Sequence, residues 1–265
     1  MGGSLLSGIP YTPEQALISM ALAGILIIIA IALMRMKRLD MEKEYIYALI
    51  KGGSQIFIFA VILTYVFSSP FWYVFVWFLL IAMVLIAGRT SAKRASDMPD
   101  AGKITTPAIL VGSTAVISVL AVSGAMPMAP QFVIPLSGMV FGNSMRICSL
   151  TAERFLREVR LGKDRIETAL ALGMPSEVAM EEFGRQAVKA SLVPTIDSLK
   201  TLGIIFIPGA MTGLIMAGTD PIVAAEYQMI IYFMITGGGM ITAVATIYLM
   251  RKRIFTDAEQ LQEWV

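Results

Sequence analysis

All 21 lysines and arginines of this 265-residue chain gather at every second junction of seven apolar stretches: in the connections, in the adjoining ends of two stretches (Lys51 and Arg146), or after the last stretch. The stretches are residues 15–34, 46–67, 71–88, 107–125, 130–149, 202–218 and 228–250. Most are long enough, at ~1.5 Å per residue, to cross a hydrocarbon core of ~30 Å as helix. No basic residue precedes the first stretch. Five lie from Arg35 to Lys51, four from Arg89 to Lys103, nine from Arg146 to Lys200, and three at Arg251, Lys252 and Arg253. The intervening connections hold none. Seven crossings put every basic residue on one side, which the positive-inside rule makes cytoplasmic. The expected fold is therefore an all-α polytopic membrane helical bundle with seven transmembrane helices, the N-terminus outside and the C-terminus cytoplasmic. It reads as a single transmembrane domain over 1–265, with a cytoplasmic helical loop at about 150–200.

Composition agrees and removes other classes. The chain is 57% hydrophobic and 15% charged, whereas a soluble domain carries ~25% charged residues. That excludes an ordinary soluble enzyme, a disordered chain and a secreted disulfide scaffold. A single cysteine, Cys148, and no histidine exclude an intrachain disulfide, a Ser-His-Asp or Cys-His triad, and His-ligated zinc or haem. A net charge of +2 gives no polyelectrolyte character for nucleic acid. Residues 1–13 lack the basic start of a cleavable signal, so the first span is expected to stay in a multi-pass protein of the inner (plasma) membrane. Trp72, Tyr73 and Trp77 follow Pro70, where indoles favour the headgroup level. Residues 202–218 are short and contain Pro208. They are expected to be led by helix from Pro194, or to be partly broken.

The 150–200 segment is the longest polar one. Phe155, Leu156 and Val159 share one helical face in a continuation of the fifth stretch, which Gly162 stops. Lys163 to Leu172 forms a second helix with Ile166, Ala169 and Leu170 on one face, ended by Gly173 in the left-handed region. Pro175 then starts a helix over 176–192, with Met180, Phe183, Ala187 and Ala190 on one stripe. That stripe needs a partner: its own spans, lipid headgroups or a soluble subunit.

The run Glu167-Thr-Ala-Leu-Ala-Leu-Gly173 resembles the EAA loop of ABC transporter permeases. Glu167, Ala169 and Gly173 match that motif, whereas Thr168 replaces an alanine, and Arg185 and Gln186 stand where Leu-Pro is usual. The resemblance implies that Glu167, Ala169, Leu170 and Gly173 shape a coupling helix that docks on an ATPase subunit. Further runs are 134–145, Pro194-Thr-Ile-Asp-Ser-Leu-Lys-Thr-Leu-Gly203, Pro208-Gly-Ala-Met-Thr-Gly213 and Tyr227-Gln228. Together these resemble the FetB/YbbM iron-export family of bacterial permeases, which has plant aluminium-tolerance relatives. The resemblance implies a homodimeric permease that exports iron or a related metal with a separate ABC ATPase. This chain lacks a Gly-x-x-x-x-Gly-Lys-Ser/Thr loop, so ATP and Mg are expected on the partner and no cofactor on this chain.

Among polar residues near the spans, Asp197 and Lys200 at i, i+3 share a face and pair, either as an interfacial anchor or as part of a substrate path or gate. Asn143 lies deeper and is expected to have an interhelical partner. Pro208, Gly209 and Gly213 combine a Pro-Gly break with a Gly-x-x-x-Gly spacing, a candidate hinge or a packing device. The 19 methionines read as filler of irregular apolar space rather than a soft-metal site. The competing class is an ATPase-independent secondary transporter or channel for a small solute. The scarcity of carboxylates within the spans argues against proton coupling.

Overall fold

The computed structural model describes residues 13–256, 258–262 and 264. The segment expected to precede the first span, residues 1–12, lies outside the described residues. The described residues form ten helices, and the chain divides into two compact units.

One unit holds α1 (Pro13–Met36) and α2 (Glu42–Ser68), together with residues 213–220. A tight turn joins the two helices. Lys37 and Leu39 donate to the carbonyls of Leu33 and Met34 at 2.9 and 3.0 Å, which satisfies the last carbonyls of α1. Arg38 and Asp40 take positive φ there. Large apolar side chains such as Leu26 (69% exposed), Ile56 and Val61 stand outward along both helices. Such a surface has hydrocarbon, not water, as its natural solvent.

The other unit contains α3 (Trp72–Arg94), α4 (Gly102–Val122), α5 (Pro130–Leu161), α6 (Lys163–Ala171), α7 (Ser176–Ala179) and α8 (Glu181–Lys200). A short helix, α9 (Gly209–Met216), follows and straddles the boundary between the units. The long α10 (Pro221–Ile254) completes the bundle. α4 and α5 pack against each other, and each packs against both α3 and α10. Two positions explain how closely they approach. A Cβ on Gly112 of α4 would lie 2.0 Å from Thr242 Oγ1 and 3.0 Å from the Gly238 carbonyl of α10. A Cβ on Gly88 of α3 would lie 2.9 Å from Cα of Thr106. Backbones this close are what small residues permit in lipid, where no hydrophobic drive pulls helices together.

Hydroxyl bonds stitch α5 to α10 and to α3, and α4 to α3. Thr242 donates to Ser144 at 3.1 Å, Thr246 to the Cys148 sulfur at 3.3 Å, and Ser91 and Ser149 share a 2.7 Å bond. Thr105 donates to the Gly88 carbonyl at 2.8 Å. Among the described residues, the buried hydroxyls of Ser113 and Ser137 have no partner.

Within this unit the basic connections gather at one end. Ala95, Met98 and Ile104, Phe155 and Val159, Ile166, Met180 and Phe183, and Ile247 and Met250 form one apolar cluster there. α5 runs for 32 residues, ~48 Å at ~1.5 Å each, so it extends well beyond a ~30 Å core. This is the helical continuation that the 150–160 pattern predicts.

Among the described residues, five helices are long and apolar enough to cross a membrane: Leu17–Met36, Glu42–Ser68, Trp72–Arg94, Gly102–Val122 and Pro221–Ile254. The 130–149 stretch lies inside α5, whose polar and charged residues keep it out of that set. Residues 202–218 are broken, the second of the two forms expected for them. α8 runs on through Pro194 to Lys200, residues 201–208 are turns with one isolated bridge between Leu202 and Phe206, and α9 has only eight residues. Gly203 at φ +78 and the ring of Pro208 account for the break. The single helix expected over 176–192 divides at Met180 into α7 and α8. Its buried stripe is Met180, Phe183, Gly184, Ala187 and Ser191, while Ala190 faces outward.

Candidate functional site

The hairpin at the basic end is built from its turns. Gly162 ends α5, and the Phe183 ring lies where a side chain at 162 would stand, 2.2 Å from a Cβ placed there. α6 ends in a left-handed cap. Gly173 has φ +83, Met174 donates to the Ala169 carbonyl at 3.0 Å, and Gly173 donates to that of Leu170 at 2.9 Å. The Thr168 hydroxyl donates to the Asp164 carbonyl at 2.7 Å, so threonine sits in the second motif position with its polar group satisfied inside its own helix. Ile166 is buried, and Leu170 packs against the apolar cluster. The apolar stripe that needs a partner therefore finds one in the chain's own spans.

The outward face of the hairpin is different. Glu167 and Gly173 are exposed, as are Leu172 (83%), Met174 and Val178. The motif residues thus divide, with Leu170 packed on the bundle, Ala169 half-buried, and Glu167 and Gly173 presented outward. In the first turn of α8 the Glu182 carboxylate accepts from Gln186 at 2.7 Å and pairs with Arg185. These two contacts, the Gln186 bond first, hold its carboxyl below the usual carboxylate range. In the α3–α4 turn, the 2.7 Å bond and the charge of Lys103 do the same for Asp100.

The reading of the sequence missed the tail after α10. Phe255 and Leu261 form an antiparallel bridge, and Leu261 and Trp264 pack on the apolar cluster. Glu259 Oε2 accepts from the Ser176 backbone N–H at 3.3 Å, and the Arg251 guanidinium donates to the Glu177 carbonyl. Arg160 pairs with Asp97 at 2.7 Å and reaches the Trp264 carbonyl at 3.5 Å. The tail and the α6–α7 turn together line an open cleft of about 770 Å³, which includes Glu167, Leu170, Gly173, Glu259 and Leu261. Three apolar residues spaced through a polar tail were the available sign.

Toward the membrane, Asn143 is half-buried and its Nδ2 donates to the Ile235 carbonyl of α10 at 2.8 Å. That is the interhelical partner expected of an amide at this depth. Asn143→Ala is expected to lower the unfolding free energy by about 0.6 kcal/mol, and by no more than about 1.7, read by thermal denaturation in detergent. Asp197 and Lys200 pair at 3.0 Å on the last turn of α8, with both side chains mostly exposed. Asn143 bonds to α10 and not to this pair. Pro208 is buried, and Gly209 and Gly213 lie in α9. The Thr212 N–H bonds to the Pro208 carbonyl at 3.0 Å. The Met211 N–H, an orphan donor of the first turn, finds Gln228 Oε1 of α10 at 3.2 Å. A Cβ on Gly209 would meet nothing within 4 Å, so no close helix contact requires a glycine there. Among the described residues no group of three His, Cys, Asp or Glu side chains converges. Met126 and Met234 are buried, while Met128 and Met240 face outward.

Among the described residues, five span-length apolar helices and many large aliphatic and aromatic side chains that stand outward define a multi-pass membrane protein. The chain belongs to UPF0014, described as an uncharacterised protein family, whose model matches residues 17–255. It is 32% identical to the "Probable iron export permease protein FetB" of Escherichia coli over 92% of this chain and 93% of that protein. It is also 32% identical to the "UPF0014 membrane protein STAR2" of rice, over 92% of this chain and 85% of that one. Identity to "Protein ALUMINUM SENSITIVE 3" of Arabidopsis thaliana is 30%, over 95% and 92%. No solved structure matches the chain.

Proposed function

We propose that this chain is the membrane-spanning permease subunit of an ABC transporter, exporting iron or a related metal with a separate ATPase subunit. The observation that carries the reading is the hairpin. Its apolar stripe is spent on the chain's own spans, yet its turn holds Glu167, Leu172, Gly173 and Met174 outward. Such a face suits a soluble partner. The E. coli relative, named as a probable iron export permease, supplies the substrate class. In this reading the chain crosses seven times with the N-terminus outside, and the broken 202–218 stretch, with the helix through Pro194 that leads into it, makes the sixth crossing. Two copies and two ATPase subunits form the working assembly, with ATP and Mg held by the ATPase. Closure of the ATPase pair moves the hairpin, and the spans re-orient in alternating access.

The test uses purified chain in vesicles with an ABC ATPase, sought first in the neighbouring reading frames. The expected result is ATP hydrolysis stimulated by the chain, with a further rise when Fe(II) is present. Solute flux driven by an ion gradient with no ATPase present supports the secondary-transporter class and overturns this one.

A further inference from the structure

α10 is fastened at both ends to the two irregular features of the chain. At the basic end Arg251 donates to the Glu177 carbonyl of α7. Ile247, Met250 and Ile254 pack there among Met180, Phe183 and Ala187. Gly184 of α8 lets Ile247 come so close that a Cβ on it would lie 3.0 Å from Ile247 Cγ2. At the opposite end Gln228, only 4% exposed, holds the Met211 N–H at the break that begins α9. Between Arg251 and Gln228 the helix is uninterrupted and spans ~35 Å at ~1.5 Å per residue. It is bonded to α5 along the way at Ile235, Thr242 and Thr246.

The covalent route between the same two features is α8 followed by residues 201–208. Among the described residues, that stretch is held by local bonds, three of them to the single carbonyl of Thr201, and by the one Leu202–Phe206 bridge. Ile204 is 86% exposed. A segment of this kind absorbs displacement, whereas a packed continuous helix carries it. The boundary between the two compact units falls at 212/213, directly after the first turn of α9.

We propose that α10 is the rod that transmits hairpin movement to the Pro208–Gly209 break, with Arg251 and Gln228 as the positioning residues at its two ends. The proposal rests on the permease reading, since the movement it transmits is imposed at the hairpin by an ATPase.

The break is followed by labelling a thiol at position 210 (Ala210→Cys) with N-ethylmaleimide, in a Cys148→Ser background. The permease–ATPase complex is compared nucleotide-free and trapped with ADP-vanadate. The expected ratio of labelling rates is about fivefold or more, the lower end of ordinary intersite couplings. Gln228→Ala brings that ratio to about one while stimulation of the ATPase persists, a split that a merely structural role does not give. Gln228→Glu, which keeps an acceptor oxygen, restores the ratio. If Gln228→Ala does not insert, Arg251→Ala must remove the ratio instead. A full ratio in Gln228→Ala, or in Arg251→Ala where that variant is used, overturns the proposal. So does a stimulated ATPase with no nucleotide-dependent labelling in the parent, and both of these leave the permease reading standing. Absence of any ATPase stimulation by the parent removes the permease reading and this proposal together.

Discussion

Gly173→Pro is expected to abolish ATPase stimulation while leaving insertion and thermal stability close to those of the parent. The turn needs φ +83 at this position, whereas proline is fixed near −65°. Proline also removes the N–H that bonds to the Leu170 carbonyl. The strain of such a misfit is about 1–3 kcal/mol, which the exposed turn relieves by changing shape. Nothing lies within 4 Å of a Cβ at Gly173, so the change does not spread into the apolar cluster. A loss of about 1.4 kcal/mol in docking is already tenfold in affinity. Stimulation is therefore expected to fall tenfold or more at a fixed ATPase concentration. Unchanged stimulation places the docking surface elsewhere.

Gly112→Val acts by the opposite route. Its first side-chain atom would lie 2.0 Å from Thr242 Oγ1 and 3.0 Å from the Gly238 carbonyl. One neighbour belongs to a buried hydroxyl pair and the other is backbone, so neither yields without moving α4 from α10. Overpacking of this kind costs about 1–3 kcal/mol and on occasion more. The upper end is expected here because the Thr242–Ser144 bond is lost as well. The measurement is the thermal midpoint and the yield of monodisperse protein in detergent. Gly237→Ala is the matched control, since a Cβ there meets nothing within 4 Å. It is expected to raise helix stability by up to about 1 kcal/mol. Equal behaviour of the two variants contradicts the close α4–α10 crossing.

Much of this was legible in the sequence because membrane helices declare themselves by length and apolar content. The hairpin was legible too. Gly162 and Gly173 punctuate it where the periodic pattern ends, and its stripe from Phe155 to Phe183 has the spacing of a buried face. Three things were hidden, for identifiable reasons. The division at Met180 leaves the stripe in register, so periodicity alone passes over it. Pro194 reads as a start signal, but it lies inside α8, where a proline in a helix near a polar interface is tolerated. The tail fold depends on Glu259 reaching the Ser176 N–H and Arg251 the Glu177 carbonyl, contacts across more than seventy residues that no local pattern encodes. In the candidate site, Asn143 announced its interhelical bond by being an amide at membrane depth. Gln228 was visible only as part of a resemblance, and its function as a cap for α9 required the fold.

The central claim is that the exposed hairpin face docks an ATPase subunit, and the most direct measurement is site-directed cross-linking. In the Cys148→Ser background a single thiol is placed at position 172 (Leu172→Cys), and in a second protein at position 122 (Val122→Cys). Both positions are highly exposed, at 83% and 90%, one on the hairpin and one at the far end of α4. A short thiol–amine cross-linker is applied to the chain in vesicles with the ABC ATPase that it stimulates. The expected result is a one-to-one adduct with the ATPase from position 172, sensitive to ATP, and none from position 122. Stimulated ATP hydrolysis with no adduct from position 172 contradicts it.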